Sequence, residues 1–165
     1  MADVVIVGNS LGNLKHEVGG LINSSDLVVR FNDYKILGYE KYVGTKTDYV
    51  WVSRPFYKSI LPNLKTTIKL IHPHNLDTYP QNYPQNYITI PLINDETVPN
   101  FHWSSGVHVI KYFLDLGHNV KIHGICDGVS AHYWNKNFKI WGKHDYDMDR
   151  KKIESWGISR LVINK

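Results

Sequence analysis

The apolar positions of this chain come in short bursts separated by small and polar residues. Val4-Val-Ile-Val7 is continuous, the pattern of a strand covered on both faces, and it runs directly into the turn Gly8-Asn-Ser-Leu-Gly-Asn13. Residues 27–31 repeat the arrangement, with Asp26 before them and Asn32-Asp33 closing them. Residues 49–52 form a third strand, reached through Val43-Gly-Thr-Lys-Thr47 and Asp48. From Arg54 to Asn100 the pattern is less regular: an amphipathic stretch near 57–64, an alternating strand over 67–71 and a short strand around 88–90. Within Tyr79-Pro-Gln-Asn-Tyr83-Pro-Gln-Asn-Tyr87 the prolines exclude helix and central strand, so the tandem reads as a surface loop. It is either a solvated insertion or a place for ligand-facing aromatics.

From Ser104 onward the signal is clearest. Val107, Ile110, Leu114 and Gly117 share one helical face, while His108, Lys111, Asp115 and His118 share the other. Asn119 ends that helix, Val120-Lys-Ile-His123 alternates as a strand, and Gly124 follows it. Residues 145–156 predict another helix, acidic at its start and lysine-rich later, as the helix dipole favours. Residues 160–163 predict a last strand. Strands alternating with helical connections predict an α/β fold, a single Rossmann-like domain over 1–165 whose mostly parallel sheet is flanked by helices. In such sheets ligands sit at the carboxyl ends of strands. Four segments occupy such places: Gly8-Asn9-Ser10, Asn32, Ser104-Ser105-Gly106 and Gly124.

Composition narrows the classes. A chain of 165 residues supports one well-buried core. No apolar run reaches bilayer length, and no basic leader precedes the first strand, so a cytoplasmic protein with no membrane span is expected. The single Cys126 forms no internal disulfide, which suits a reducing compartment. The net charge of +4 is compatible with phosphate-bearing ligands but too diffuse for a nucleic-acid partner. Richness in Asn, Lys, Ile and Tyr fits an AT-rich genome, viral or bacterial.

Several segments carry candidate chemistry, each with a plainer reading beside it. Ser104-Ser105-Gly106 offers hydroxyls and open amides at a helix start, suited to a carboxylate or phosphate, or is an ordinary helix cap. Gly8-Asn9-Ser10 is no Walker loop and lacks a full GxGxxG. The 9 histidines include His72-Pro-His74, but no HExxH or cysteine framework accompanies them, and no metal is expected. His132-Tyr133-Trp134 and His144-Asp145 lie in connecting sequence without apolar periodicity, where histidines serve proton transfer or simply face solvent. If Asp145 opens a helix, His144 stands at its amino terminus, where the dipole favours a neutral imidazole able to act as a base.

Taken together, these segments resemble the animal-type sialyltransferase family (glycosyltransferase family 29) in the order and spacing of its motifs. Residues from Val4-Val-Ile-Val-Gly-Asn-Ser10 through Ile22-Asn-Ser-Ser-Asp-Leu-Val-Val-Arg-Phe-Asn32 look like the large motif, continued by Val43-Gly-Thr-Lys-Thr47. Ser104-Ser-Gly106 through Val120-Lys-Ile-His-Gly124 looks like the small motif, His132-Tyr-Trp134 like the third, and His144-Asp-Tyr-Asp-Met-Asp149 like the very small motif. The likeness covers the chain except for much of 54–100.

The resemblance implies a variant of the GT-A-like sialyltransferase fold. It also implies transfer of sialic acid, or a related acidic sugar, from a CMP-linked donor to a glycan hydroxyl. By resemblance, Gly8, Asn9, Ser10, Asn32, Ser104, Ser105, Gly106, Gly124, His132 and Tyr133 form the donor site. His132 binds the departing phosphate, and His144 takes the acceptor proton without a metal cofactor. Family members of the animal Golgi carry a membrane anchor and a cysteine in each long motif, joined as a disulfide; here those positions are Val4 and Gly117. Asp149 replaces the usual glutamate. Alternatives are a catalytically inactive CMP-binding module of the same fold, a nucleotide-dependent oxidoreductase that lacks the third glycine, and a histidine-based metal hydrolase.

Overall fold

A strand buried on both faces must contribute a side chain to two separate cores, and β1 (Asp3–Val7) does so. Val4 and Ile6 enter one apolar cluster; Val5 and Val7 enter another on the opposite face. The computed structural model describes residues 1–53, 56, 60–61, 67–71, 81, 86–93, 102–127, 131–137 and 145–160. Among these the remaining strands are β2 (Leu27–Phe31), β3 (Tyr49–Trp51), β4 (Ile68–Ile71), β5 (Tyr87–Thr89), β6 (Asn119–His123) and β7 (Ser159–Arg160). They form one sheet in the order β5-β4-β3-β2-β1-β6-β7, every pairing parallel. The chain lays its first five strands outward from β1 in sequence, then returns to place β6 on the other side of β1. Strand order therefore reverses between β1 and β6.

Two longer helices cover the face of Val4 and Ile6. In α3 (Ser105–Asp115), Val107, Val109, Ile110 and Phe113 are buried, and Ile153 of α4 (Tyr146–Ser155) joins them. The opposite face is closed by short pieces, a 3-10 turn (Leu11–Lys15), α1 (Gly19–Asn23) and α2 (Glu40–Val43), which contribute Leu11, Ile22 and Val43. Helices of four or five residues do not stand alone in water and form here because packing holds them.

The expected elements mostly recur, with small differences. His108, placed by periodicity on the polar face of α3, is 7% exposed, and its Nδ1 accepts a hydrogen bond from Ile93 N at 3.3 Å. The last strand begins at Ser159, one residue early, and its expected continuation over 161–163 lies outside the described residues. So do most of the 57–64 stretch and of the 79–87 tandem; Ile60 and Leu61 are described and buried.

Two polar side chains deep in the fold hold its connections. Arg30 of β2 is fully buried, on the side of the sheet that packs Val28. Its Nε donates to Lys46 O (3.1 Å) and Thr47 Oγ1 (2.8 Å), and its Nη2 to Val43 O (2.8 Å), Gly44 O (3.2 Å) and Lys46 O (2.8 Å). The Val43–Thr47 connection is thus shaped around one guanidinium, with the Tyr34 ring 5.3 Å from its carbon. Burial lowers the Arg30 pKa. His123, at the end of β6, is 5% exposed, and burial holds its imidazole down at about 4, with His16 adding to the lowering and Asn13 and Asp127 opposing it.

Replacing Arg30 by Met should leave several buried carbonyls unanswered and lower stability by about 3 kcal/mol, read as a fall in the urea midpoint; an unchanged midpoint would contradict the clamp. For His123 the folded state stays neutral while the unfolded chain takes up a proton below about pH 6.5. Stability should therefore fall as pH drops from about 6.5 to about 4 and level off below, by on the order of 3 kcal/mol in total. His123→Gln should flatten that segment of the stability curve, and an unaltered slope would show that another group governs it.

Candidate functional site

At the point where strand order reverses, the connections after neighbouring strands leave toward opposite faces and a crevice opens at their carboxyl ends. Here those strands are β1 and β6. Their ladder runs on past its last pair, Val7 with His123, because Gly8 N donates to His123 O (2.8 Å) and Ser10 N to Gly124 O (3.3 Å). The approach is so close that a Cβ on Gly8 would lie 2.1 Å from Gly124 O. Gly124 has φ +62, and a Cβ there would lie 1.8 Å from Asn13 Oδ1. Asn13 is fully buried and donates from Nδ2 to Gly8 O at 2.8 Å, tying the turn back on itself.

Each expected site residue in this turn has a definite place. Asn9 donates from Nδ2 to Phe31 O (3.0 Å), linking β1 to the end of β2, while its Oδ1 is buried without a hydrogen-bond partner among the described residues. Ser10 donates to Asp127 Oδ1 (2.6 Å) and accepts from Gly12 N (3.0 Å). Asn32 adopts the left-handed region (φ 49), which asparagine tolerates better than most residues, and its Oδ1 accepts from Ser53 N at 2.8 Å.

His132 pairs with Ser10 through an isolated antiparallel bridge and lies 4.7 Å, ring to ring, from Trp134. It is half-buried; burial lowers its pKa, and the Asp33 charge opposes that shift. Tyr133 differs from its neighbour. It is 3% exposed within the core cluster, Tyr133 N donates to Asn9 O (3.1 Å), and its hydroxyl donates to Lys35 O. Burial pushes that hydroxyl up to about 12. Its part in the site is to fasten the 131–137 loop to the turn after β2.

Ser104 stands at the amino-terminal cap of α3, yet its hydroxyl makes no capping hydrogen bond. Its backbone N donates to Asp149 Oδ1 of α4 at 3.3 Å, so the two helix starts meet. Gly106 faces the turn after β6, where a Cβ would come within 3.1 Å of Ile125 Cγ2. Asp145, in contrast to Ser104, caps α4 fully, accepting from Asp147 N and Met148 N, both at 3.1 Å. The acidic run 145–149 is therefore a helix start, with Asp147 paired to Arg150 at 2.8 Å. His144 lies outside the described residues; its neighbour Asp145 is the cap itself.

The structure thus joins Gly8, Asn9, Ser10, Gly124, His132 and Tyr133 through a chain of direct contacts, ties Asn9 to Phe31, the residue before Asn32, and brings the Ser104–Gly106 turn to Ile125. A cavity of about 290 Å³ opens on the β6 side, lined in part by Gly12, His123, Gly124, Cys126 and Asp127. Sequence reasoning passed over Asn13, Asp127 and Arg30. Asp127 had a signal, a carboxylate among small residues just after a strand. Arg30 had one too, a lone charge within an apolar run.

Comparison with known proteins points one way. The family model described as "Glycosyltransferase family 29 (sialyltransferase)" matches residues 2–56. The "CMP-N-acetylneuraminate-beta-galactosamide-alpha-2,3-sialyltransferase 1" of Gallus gallus is 27% identical over 179 aligned positions, covering 87% of this chain and 52% of the relative. The chain spans about half the length of that curated relative. The solved structure described as "Crystal Structure of a Mammalian Sialyltransferase" superposes with a TM-score of 0.72 at 18% identity, over 99% of this chain and 70% of that one. The sialyltransferase CstII from Campylobacter jejuni, solved with a substrate analogue, cytidine-5'-monophosphate, superposes at 0.64 and 18% identity over 98% and 79% of the two chains. At such identity the solved structures establish the shared Rossmann-like α/β fold, and the stretch matched by the family model is the one that holds the segments from Val4 to Asn32 and from Val43 to Thr47.

Proposed function

We propose that this chain, a relative of the sialyltransferases, is a glycosyltransferase that moves an acidic sugar from a CMP-linked donor to a glycan hydroxyl without a metal ion. The observation that carries the reading is the meeting at one strand-order reversal of the Gly8–Ser10 turn, Gly124 and His132. That is where an α/β sheet takes a nucleotide. The donor would lie along Asn9, Ser10 and Asn32, with Gly124 allowing close approach to the backbone. The first-turn amides of α3, which the Ser104 hydroxyl does not cap, would face the carboxylate or phosphate together with Ser105 and Gly106.

Chemistry follows from the charges that develop. In a single inverting displacement the acceptor oxygen attacks the anomeric carbon while the bond to the donor phosphate breaks. His144, next to the cap of α4, takes the proton from the attacking hydroxyl; the dipole of that helix start favours the neutral imidazole a base requires. The departing cytidine monophosphate carries its new charge to His132 and to the α3 amides. A monophosphate leaving group demands less compensation than a diphosphate. The commitment of Asp145 to capping and of Asp147 to Arg150 supports a reaction that does not use them as metal ligands.

A second reading is a nucleotide-binding module of the same fold without transfer, which shares every donor residue and does not need His144. Calorimetric titration with cytidine monophosphate in excess chelator should show binding that uridine and adenosine monophosphates do not match. Equal binding of all three, or none, would remove the donor site. His144→Ala should lower turnover by about a hundredfold to ten-thousandfold with donor affinity nearly intact. Undiminished turnover would sink the base assignment, while CMP binding by a wild type with neither donor hydrolysis nor transfer would select the second reading.

A further inference from the structure

The hydroxyl of Ser10 has one proton, and the fold decides where it goes. Ser10 Oγ donates to Asp127 Oδ1 at 2.6 Å and accepts from Gly12 N at 3.0 Å. Its proton is therefore committed, and toward any further partner Ser10 offers a lone pair. Asp127 is held from a second side. A Cβ on Gly12 would lie 1.9 Å from Asp127 Oδ2, so the carboxylate occupies space that a glycine leaves open. The two side chains together make a small surface of acceptors, fixed between the turn after β1 and the turn after β6.

That surface borders the cavity of about 290 Å³, whose wall includes Gly12, Gly124 and Asp127. Among the described residues of the wall, Lys15 and Arg150 are balanced by Asp127 and Glu154. Of its two histidines, His16 and His123, burial keeps the second neutral down to about 4. Arg150 is further answered by Asp147 at 2.8 Å. A wall so close to neutral is a poor place for a phosphate and a good one for the uncharged, polar part of a ligand. The volume stands near the lower end of small-molecule sites, about 300 Å³, and matches one ring system rather than a whole nucleotide.

We infer that Asp127, oriented by Ser10, is a specificity-determining residue that accepts a hydrogen bond from the nucleoside part of the ligand, while the phosphate is left to His132 and the start of α3. This rests on the donor-site reading for the ligand being a nucleotide. A carboxylate takes N–H or O–H groups and repels carbonyl oxygens. Cytidine has donors of that kind that a close analogue removes one at a time: the amino group of the base, where uracil carries a carbonyl oxygen, and the ribose 2'-hydroxyl, which deoxyribose lacks.

The test is calorimetric titration of the wild type, Asp127→Asn and Ser10→Ala with cytidine, uridine and 2'-deoxycytidine monophosphates. The wild type should bind cytidine monophosphate about tenfold to a hundredfold more tightly than one of the two analogues, the uridine arm marking the base and the deoxy arm the ribose. Asp127→Asn should reduce that ratio to about threefold or less. Ser10→Ala, which keeps the carboxylate and removes its anchor, should reduce it partway. Equal affinities in the wild type, or ratios that the variants leave unchanged, overturn the inference while the protein still binds nucleotide. So does an equal loss of affinity for all three ligands, the result of a purely structural role for the Ser10–Asp127 bond. A wild type that binds none of the three removes the donor site and this inference with it.

Discussion

The close approach of two backbones, Gly8 against Gly124, is the constraint on which the rest of the structure depends. With no side chain on either residue, the β1–β6 ladder continues past the strands, and Asn13 can fill the corner from behind. That continuation sets the position of Ser10. Ser10 in turn supports Asp127 through its hydroxyl and His132 through its backbone, so one glycine–glycine contact governs where a loop from residue 10 meets loops from 127 and 132. A methyl group at Gly8 would press on Gly124 O and push the two backbones apart, and one at Gly124 would displace the Asn13 side chain.

Buried polar groups do comparable work farther from the crevice. Arg30 shapes the Val43–Thr47 connection, Asp149 joins the starts of α3 and α4 through Ser104 N, and Tyr133 binds its loop to the turn after β2. Each answers backbone groups that would otherwise be left unsatisfied in the interior. The loops around the crevice are thereby held by side chains as well as by strand pairing.

Much of this was legible in the residues. β1, β2, α3, β6 and α4 announced themselves, because a doubly buried strand must be continuously apolar and a helix on a sheet must repeat near every 3.6 residues. The glycines and asparagines of the crevice were legible as turns, and the motif resemblance grouped them. The short helices α1 and α2 were not, since four or five residues hold too few turns to show a period. His108 misled because periodicity assigns a residue to a face but does not say whether a neighbouring segment, here Ile93, covers that face. Tyr133 appeared as a site residue beside His132, while packing turned its ring into the core.

The sequence by itself determined the succession of strands and of the two long helices, the places where the chain turns, and the kinds of group available there, because these follow from local periodicity and from what glycine, proline and asparagine allow. Only the tertiary structure decided which turns meet. The reversal of strand order at β1, the contact of Gly8 with Gly124, and the bond of Tyr133 to the Lys35 backbone link residues about 100 positions or more apart. Such meetings depend on the sum of packing and hydrogen bonding over the whole sheet, a quantity that no local stretch of chain contains.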